Sequence, residues 1–212
     1  MENKKTFHDR VAPYFSPSDQ LDIRLAYSLA KFGHRAQTRK EMVDGKPTRY
    51  FEHVRRAALI LMDEVKIMDK NMIISALLHD AVEDTEDLSP ELIEHCFGNE
   101  VAGMVNLLSK VPKEGYIERL QGCVNWRPLT VKGCDKLDNL RSLMVPGTTL
   151  EFQQKQLKEV KGEYLPIFDR LIDLAPIYYR PNVGRLRDEI MKMTERIELL
   201  IDLKNNPKEV AQ

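Results

Sequence analysis

Long uncharged apolar runs are missing from this sequence, so no segment reads as a membrane-spanning helix and no membrane partner is expected. A secretion signal is missing too: Met1-Glu2-Asn3-Lys4-Lys5-Thr6 is polar, and the expectation is a cytoplasmic protein. Cysteine is scarce. Cys96, Cys123 and Cys134 are odd in number and widely spaced, which argues against a disulfide framework and a thiolate metal knuckle and suits a reducing compartment. Cys134, beside Asp135, reads as a small buried filler. Charge of one sign is also lacking. With 32 basic and 33 acidic residues the formal net charge is -1, so no global basic field points to nucleic acid. Internal repeats, low-complexity tracts and convincing strand alternation are absent, which leaves an all-α fold, a compact multi-helix bundle.

The chain has 212 residues, 42% hydrophobic and 31% charged, an ordinary soluble profile with enough length for one well-buried domain. Residues 1–18, with Pro13 and Pro17, read as a loose lead-in. Residues 19–175 read as the main domain, and residues 176–212 as a C-terminal helix packed on it. Ser18 or Asp19 is the expected cap of a helix over residues 21–32, with Leu21, Ile23, Leu25, Ala26, Leu29 and Phe32 mostly on its apolar stripe. A basic segment follows, then Asp44-Gly45-Lys46-Pro47, read as a loop. Further helices are expected over residues 50–65 and 70–82. Ser89-Pro90-Glu91 is a helix start and Phe97-Gly98 a stop. Another helix is expected over 100–110. Pro112, Gly115, Gly122 and Pro128 make 111–128 a loop with at most a helical turn. Residues 130–143 return to helix, ended by Pro146-Gly147. Residues 150–174 form a long helix bent at Pro166. The last helix, over 183–203, carries a seam of Val183, Leu186, Ile190, Met193, Ile197 and Leu200, read as packing on the core rather than as a dimerising coil.

The chemistry gathers in Ser75-Ala76-Leu77-Leu78-His79-Asp80-Ala81-Val82-Glu83-Asp84-Thr85. This apolar helical run ends in one histidine and three acids within six positions. Buried acids are costly unless a partner satisfies them. On a continuous helix, His79 stacks with Glu83 and Asp80 with Asp84. Unpaired, these acids would repel one another, and a divalent cation removes that cost. A His-Asp pair leaves a coordination sphere incomplete. The best remaining donors are His53, early on its helix, and Asp135, isolated among Val131, Gly133, Cys134 and Leu137. His53, His79, Asp80 and Asp135 form a mixed nitrogen and oxygen set that suits manganese, iron or zinc better than magnesium. Glu83 and Asp84, beside such a metal, are placed to orient a water and accept its proton. Each residue alone has a plainer reading, as a satisfied core histidine or a solvated acid; the argument rests on their combination.

The order His53, His79-Asp80 and Asp135 resembles the HD-domain metal-dependent phosphohydrolases. The similarity extends to the alarmone hydrolases, meaning the hydrolase domain of RelA/SpoT enzymes and the small stand-alone forms, through His34-Arg35-Ala36-Gln37-Thr38-Arg39-Lys40, Tyr50-Phe51-Glu52-His53, the Glu83-Asp84-Thr85 that follows the doublet, and Val131 to Arg141. It covers roughly residues 20–175. The resemblance implies removal of the 3′-pyrophosphate from ppGpp and pppGpp, giving GDP or GTP and pyrophosphate, usually with manganese. ppApp is a further candidate substrate. It implies His53, His79, Asp80 and Asp135 as metal ligands and Glu83 and Asp84 as the water-activating acids. It also implies Arg39, Lys40, Asn139 and Tyr164 near the nucleotide, although Arg39 and Lys40 read equally well as a solvated loop. The sequence departs from the family where Val54 replaces a proline, in the loop between Lys40 and Tyr50, at Cys134, and at Asp138, where His or Tyr is more usual. The expectation is a stand-alone hydrolase, with a second copy of the chain and a cognate toxic synthetase as candidate partners. The rival readings are an HD phosphohydrolase acting on another nucleotide, and a non-catalytic HD protein that binds a partner.

Overall fold

Capping side chains mark where helices begin. The computed structural model describes residues 3–145 and 147–205. Asn3 accepts from the backbone amides of Lys5 and Thr6 and starts α1 (Lys4–Val11), so the expected loose lead-in is partly helical. α1 buries Phe7 and Val11. α2 (Pro17–Gly33) starts earlier than expected: Ser16, not Ser18 or Asp19, is its cap, and Pro17 takes the first helical position, where no amide is needed. The buried stripe of α2 is Ile23, Ala26, Tyr27 and Ala30, whereas Leu21, Leu25 and Phe32 are exposed.

The all-α expectation holds apart from one small element. β1 (Thr38–Val43) and β2 (Lys46–Arg49) form an antiparallel hairpin. Asp44 and Gly45 turn it with positive φ of 51° and 74°, the conformation that Asp-Gly favours in a two-residue hairpin. Alternation gave no warning, because the one buried residue of the pair of strands is an acid, Glu41.

α3 (Tyr50–Leu59) runs on through a π turn over residues 60–64. α4 (Lys70–Leu78) is capped by Asp69 and stops at His79. Asp80, at φ −100° and ψ 0°, breaks the expected continuous helix, and α5 (Ala81–Asp84) is a single turn. α6 (Pro90–Leu108) starts at the Ser89 cap and changes direction at Gly98, whose φ is 82°. α7 (Tyr116–Gly122) fills part of the expected loop. α8 (Trp126–Leu143) begins before Pro128, which its first turn tolerates. Pro146, expected to help end it, lies outside the described residues. α9 (Leu150–Glu159) and α10 (Leu165–Leu174) are joined by a π turn over 160–164, so the helix expected over 150–174 departs from regular α geometry in the turn before Pro166. α11 (Arg180–Asn205) lays Val183, Leu186, Ile190, Thr194, Ile197 and Ile201 on the core.

α8 is the axis of the fold. It packs against α3, α4, α6, α10 and α11. Nearly every residue from Pro128 to Leu143 is buried. At Gly133 an added Cβ would lie 2.8 Å from Leu186 Cδ2, so the glycine sets how closely α8 and α11 approach. A helix buried all round has to satisfy its charged residues inside the protein. Lys132, Asp135, Lys136 and Asp138 find their partners at the site described next.

Candidate metal centre and cleft

Three helices bring two imidazoles and two carboxylates together. His53 comes from the first turns of α3, His79 from the end of α4, Asp80 from the break before α5, and Asp135 from the middle of α8. His53, His79 and Asp80 each offer a ligand atom within 4.8 Å of the others. Asp135 Oδ1 lies 3.1 Å from His53 Nε2 and 3.5 Å from His79 Nε2. Asp80 Oδ2 lies 3.1 Å from His79 Nε2 and 3.6 Å from His53 Nε2. Both histidines are 1% exposed or less.

Hydrogen bonds fix which nitrogen faces the cluster. His79 Nδ1 donates to the Ala76 carbonyl at 2.8 Å, and His53 Nδ1 donates to Asp138 Oδ2 at 2.6 Å. Both rings therefore turn Nε2 inward, the arrangement found behind metal-bound imidazoles. The fit to a divalent cation is supported by an orphan: the buried Nε2 of His79 has no hydrogen-bond partner among the described residues. Burial opposes protonation of both rings. Even so, Asp135, Asp138 and Asp80 raise His53 to about 9, and Asp80 and Asp135 raise His79 to about 10. Burial likewise pushes Asp80 and Asp135 up. For Asp80, His79 and then His53 overcome it; for Asp135, Lys132 and then the two histidines do, and both acids sit well below the usual carboxylate range. Two buried carboxylates and two inward-facing imidazole nitrogens thus converge, and this donor set matches one divalent first-row ion.

A cleft of about 350 Å³ opens over the cluster, lined among others by Arg39, Lys40, Glu83, Asp84, Lys110 and Asn139. Glu83 and Asp84 are half-buried in its wall. The helix break removes the expected stacking of His79 on Glu83. The Asp84 amide still donates to the Asp80 carbonyl at 2.9 Å, so those two residues keep their one-turn relation. Glu83 Oε2 is anchored by the Lys110 amide at 3.0 Å. Arg39 Nη2 donates to Asn139 Oδ1 at 2.7 Å, and Asn139 Nδ2 donates to Asp135 Oδ1 at 2.6 Å, so the hairpin reaches the cluster through one amide. Lys40 lines the cleft with its ammonium 4.8 Å from the Phe152 ring centre. Tyr164 is not in the lining: it is buried behind Lys136, whose ammonium lies 3.8 Å from its ring centre.

Several residues of the site were not singled out in the sequence. Tyr50 donates to Asp80 Oδ2 at 2.7 Å; burial, then Asp80 and Asp84, hold its hydroxyl protonated. Lys132, 2% exposed, donates to Asp135 Oδ2 at 2.8 Å; burial would lower it, but Asp135 raises it well above its ordinary value. Lys136 also lines the cleft and is lowered, first by burial and then by Lys132. Spacing held a partial signal: Tyr50 and Lys132 each lie three residues before a ligand candidate on the same helix face.

A Drosophila melanogaster guanosine-3′,5′-bis(diphosphate) 3′-pyrophosphohydrolase is 39% identical over 133 residues, 60% of this chain and 72% of that protein. The chain belongs to the HD-domain (p)ppGpp hydrolase family. The HD-domain family pattern itself matches residues 26–122, which takes in His53, His79 and Asp80 and stops before Asp135. A guanosine-3′,5′-bis(diphosphate) 3′-pyrophosphohydrolase from Aquifex aeolicus is 32% identical over 185 residues, 82% of this chain but only 23% of its own length. The chain thus spans about a quarter of that longer relative. A solved metazoan SpoT orthologue, described as hydrolysing ppGpp and acting in starvation responses, superposes with a TM-score of 0.63 at 28% identity, covering 86% of this chain and 97% of its own. Members of this family are metal-dependent, in keeping with the donor set. Among the described residues no helix is long and apolar enough to cross a membrane.

Proposed function

We propose that this chain is a manganese-dependent pyrophosphohydrolase that removes the 3′-pyrophosphate from ppGpp and pppGpp, giving GDP or GTP and pyrophosphate, with ppApp as a further substrate. The observation that carries this reading is the convergence of His53, His79, Asp80 and Asp135, with the unpartnered Nε2 of His79 at its centre, under a cleft lined by cations. These four side chains would hold the metal. When bound, the metal would supply a water acidified far below its bulk value, towards about 7, and neutralise phosphoryl charge. Glu83, anchored through Lys110, and Asp84 accept the proton as the water oxygen bonds to phosphorus. The bond from phosphorus to the ribose 3′ oxygen breaks, and that oxygen takes up a proton to become the 3′-hydroxyl.

Arg39, Lys40, Lys110, Lys132 and Lys136 supply the fixed positive charge that a polyphosphate requires. Asn139 carries Arg39 against the cluster, and Tyr50 holds Asp80 in place. Tyr164 acts through Lys136. We place the hydrolase unit at residues 19–175, after the 1–18 lead-in, with 176–212 as a C-terminal helix packed on it; residues 206–212 of that span lie outside the described residues. A cytoplasmic location, a second copy of the chain and a cognate toxic synthetase belong to the same reading.

The test is product analysis. Purified protein is incubated with ppGpp, ppApp, deoxynucleotides and cyclic dinucleotides, with manganese added and then chelated. GDP and pyrophosphate from ppGpp, lost on chelation, support the reading. Turnover confined to another nucleotide would replace it with a different HD phosphohydrolase.

A further inference from the structure

Asp138 stands on α8 one turn after Asp135 and is 2% exposed. Its Oδ2 accepts the Nδ1 proton of His53 at 2.6 Å, and its Oδ1 accepts from Arg56 Nε at 2.6 Å. It does not line the cleft over the candidate metal centre. Instead it lines a second cleft behind it, together with Glu41, Arg56, Glu64 and Arg141. Asp138 therefore reaches the cluster only through the imidazole of His53.

The two histidines solve the same problem differently. His79 ends a helix, and its Nδ1 uses the Ala76 carbonyl one turn back. His53 lies inside α3, where backbone carbonyls are already committed to the helix, so its ring is fixed by a side chain from α8. That side chain is itself fixed. Arg56 Nη2 donates to Asp138 Oδ2 at 3.1 Å and to Glu41 Oε1 at 2.8 Å. Glu41 accepts from Ser142 Oγ at 2.6 Å and from Thr48 Oγ1 at 2.5 Å. One line of hydrogen bonds thus runs from the hairpin that carries Arg39 and Lys40, through Glu41, Arg56 and Asp138, to the ring of His53. A network of this kind holds one arrangement only when every member is satisfied.

We propose that Asp138 is a positioning residue for the metal centre, fixing the tautomer and orientation of His53 and strengthening Nε2 as a donor, while Arg56 and Glu41 register the hairpin on the same ring. This rests on the reading of His53 as a metal ligand. It also gives a role to one of the positions where the sequence departs from the family: the Asp138 carboxylate stands where His or Tyr is more usual and accepts the hydrogen bond from His53 Nδ1.

The test is direct manganese binding to the full chain, followed by the loss of the free-ion electron paramagnetic resonance signal, with urea unfolding of the metal-free protein alongside. Outer carboxylates behind metal-bound histidines are worth about 10–100-fold in affinity. Asp138→Asn keeps the shape and an acceptor, so manganese affinity is expected to fall about tenfold, while the urea midpoint of the metal-free variant reports separately what the ion pair with Arg56 contributes to stability. Asp138→Leu is expected to lose about 100-fold; should it fail to fold, the asparagine variant decides. If Asp138→Asn binds manganese as tightly as the unmutated chain, Asp138 is an ion-pair partner of Arg56 and nothing more, and the proposal falls. If the unmutated chain takes up no manganese, the metal reading fails first and takes this proposal with it, a result visible before any variant is compared.

Discussion

At the residue scale, the donors of the candidate centre could be read from side-chain chemistry, and their supports only in small part. Imidazoles and carboxylates at positions 53, 79, 80 and 135 stand out in combination, because together they make a mixed nitrogen and oxygen donor set, although each alone reads as a core histidine or a solvated acid. Tyr50 and Asp138 act on Asp80 and His53 across 30 and 85 residues of chain, which no local spacing reveals. Three outcomes for the site and one for stability follow at this scale. Asp80→Ala or His53→Ala should abolish turnover through loss of metal, checked by metal content after gel filtration. Glu83→Gln should retain metal and lose about 100- to 10,000-fold in kcat, the range for a proton acceptor; full activity at saturating substrate would show that the base is another group. Arg39→Ala should raise KM about tenfold or more through loss of a charge-assisted hydrogen bond, with kcat less affected. His8 bears on stability instead of catalysis. Burial, then Arg24 and Lys4, lower it to about 4 from 6.5, so the folded state holds it neutral. Its contribution is full above about 6.5 and is lost as pH falls towards about 4, because the unfolded chain binds the extra proton in that window. Urea midpoints measured across that range should fall further in the unmutated chain than in His8→Phe.

At the scale of elements, long amphipathic helices were legible and local exceptions were not. The seam of α11 was legible at Val183, Leu186, Ile190 and Ile197 because apolar residues recur every three or four positions, whereas Thr194 and Ile201 are buried where Met193 and Leu200, only half-buried, were expected. The stripe of α2 was legible only in part: Ile23 and Ala26 are buried as expected, but Leu21, Leu25 and Phe32 look like core residues yet face solvent, and Tyr27 and Ala30 complete the buried face. The hairpin escaped notice because its buried side chain is Glu41, which is held inside by Ser142, Thr48 and Arg56 rather than by apolar packing. The break at Asp80 has no glycine or proline to announce it. It leaves His79 and Asp80 on separate helical pieces, which lets both reach one point. Close helix approach yields a further outcome: Gly133→Val would drive methyl groups into Leu186 and Phe168 and should cost about 1–3 kcal/mol of unfolding free energy, measured by urea denaturation.

For the whole molecule, what matters is where charge is placed, not its total. The chain is nearly neutral at -1, yet Arg39, Lys40, Lys110, Lys132 and Lys136 line one cleft above two buried aspartates. Composition alone therefore excluded a global basic field and could not reveal a local one. The same arrangement explains why the sequence motif alone underdetermines the substrate: the cations are gathered from β1, the segment after α6 and α8, and only folding brings them together. A ligand that binds only the folded centre should also stabilise it. Manganese at one hundred times its dissociation constant is expected to add about 2.7 kcal/mol to unfolding free energy, an increment that Asp135→Asn should lose. The central claim, that His53, His79, Asp80 and Asp135 share one ion, is tested most directly by anomalous diffraction at the manganese edge from crystals grown with Mn²⁺. The account predicts one peak within bonding distance of both Nε2 atoms and of both carboxylates. A peak elsewhere, or none at this cluster, would contradict it.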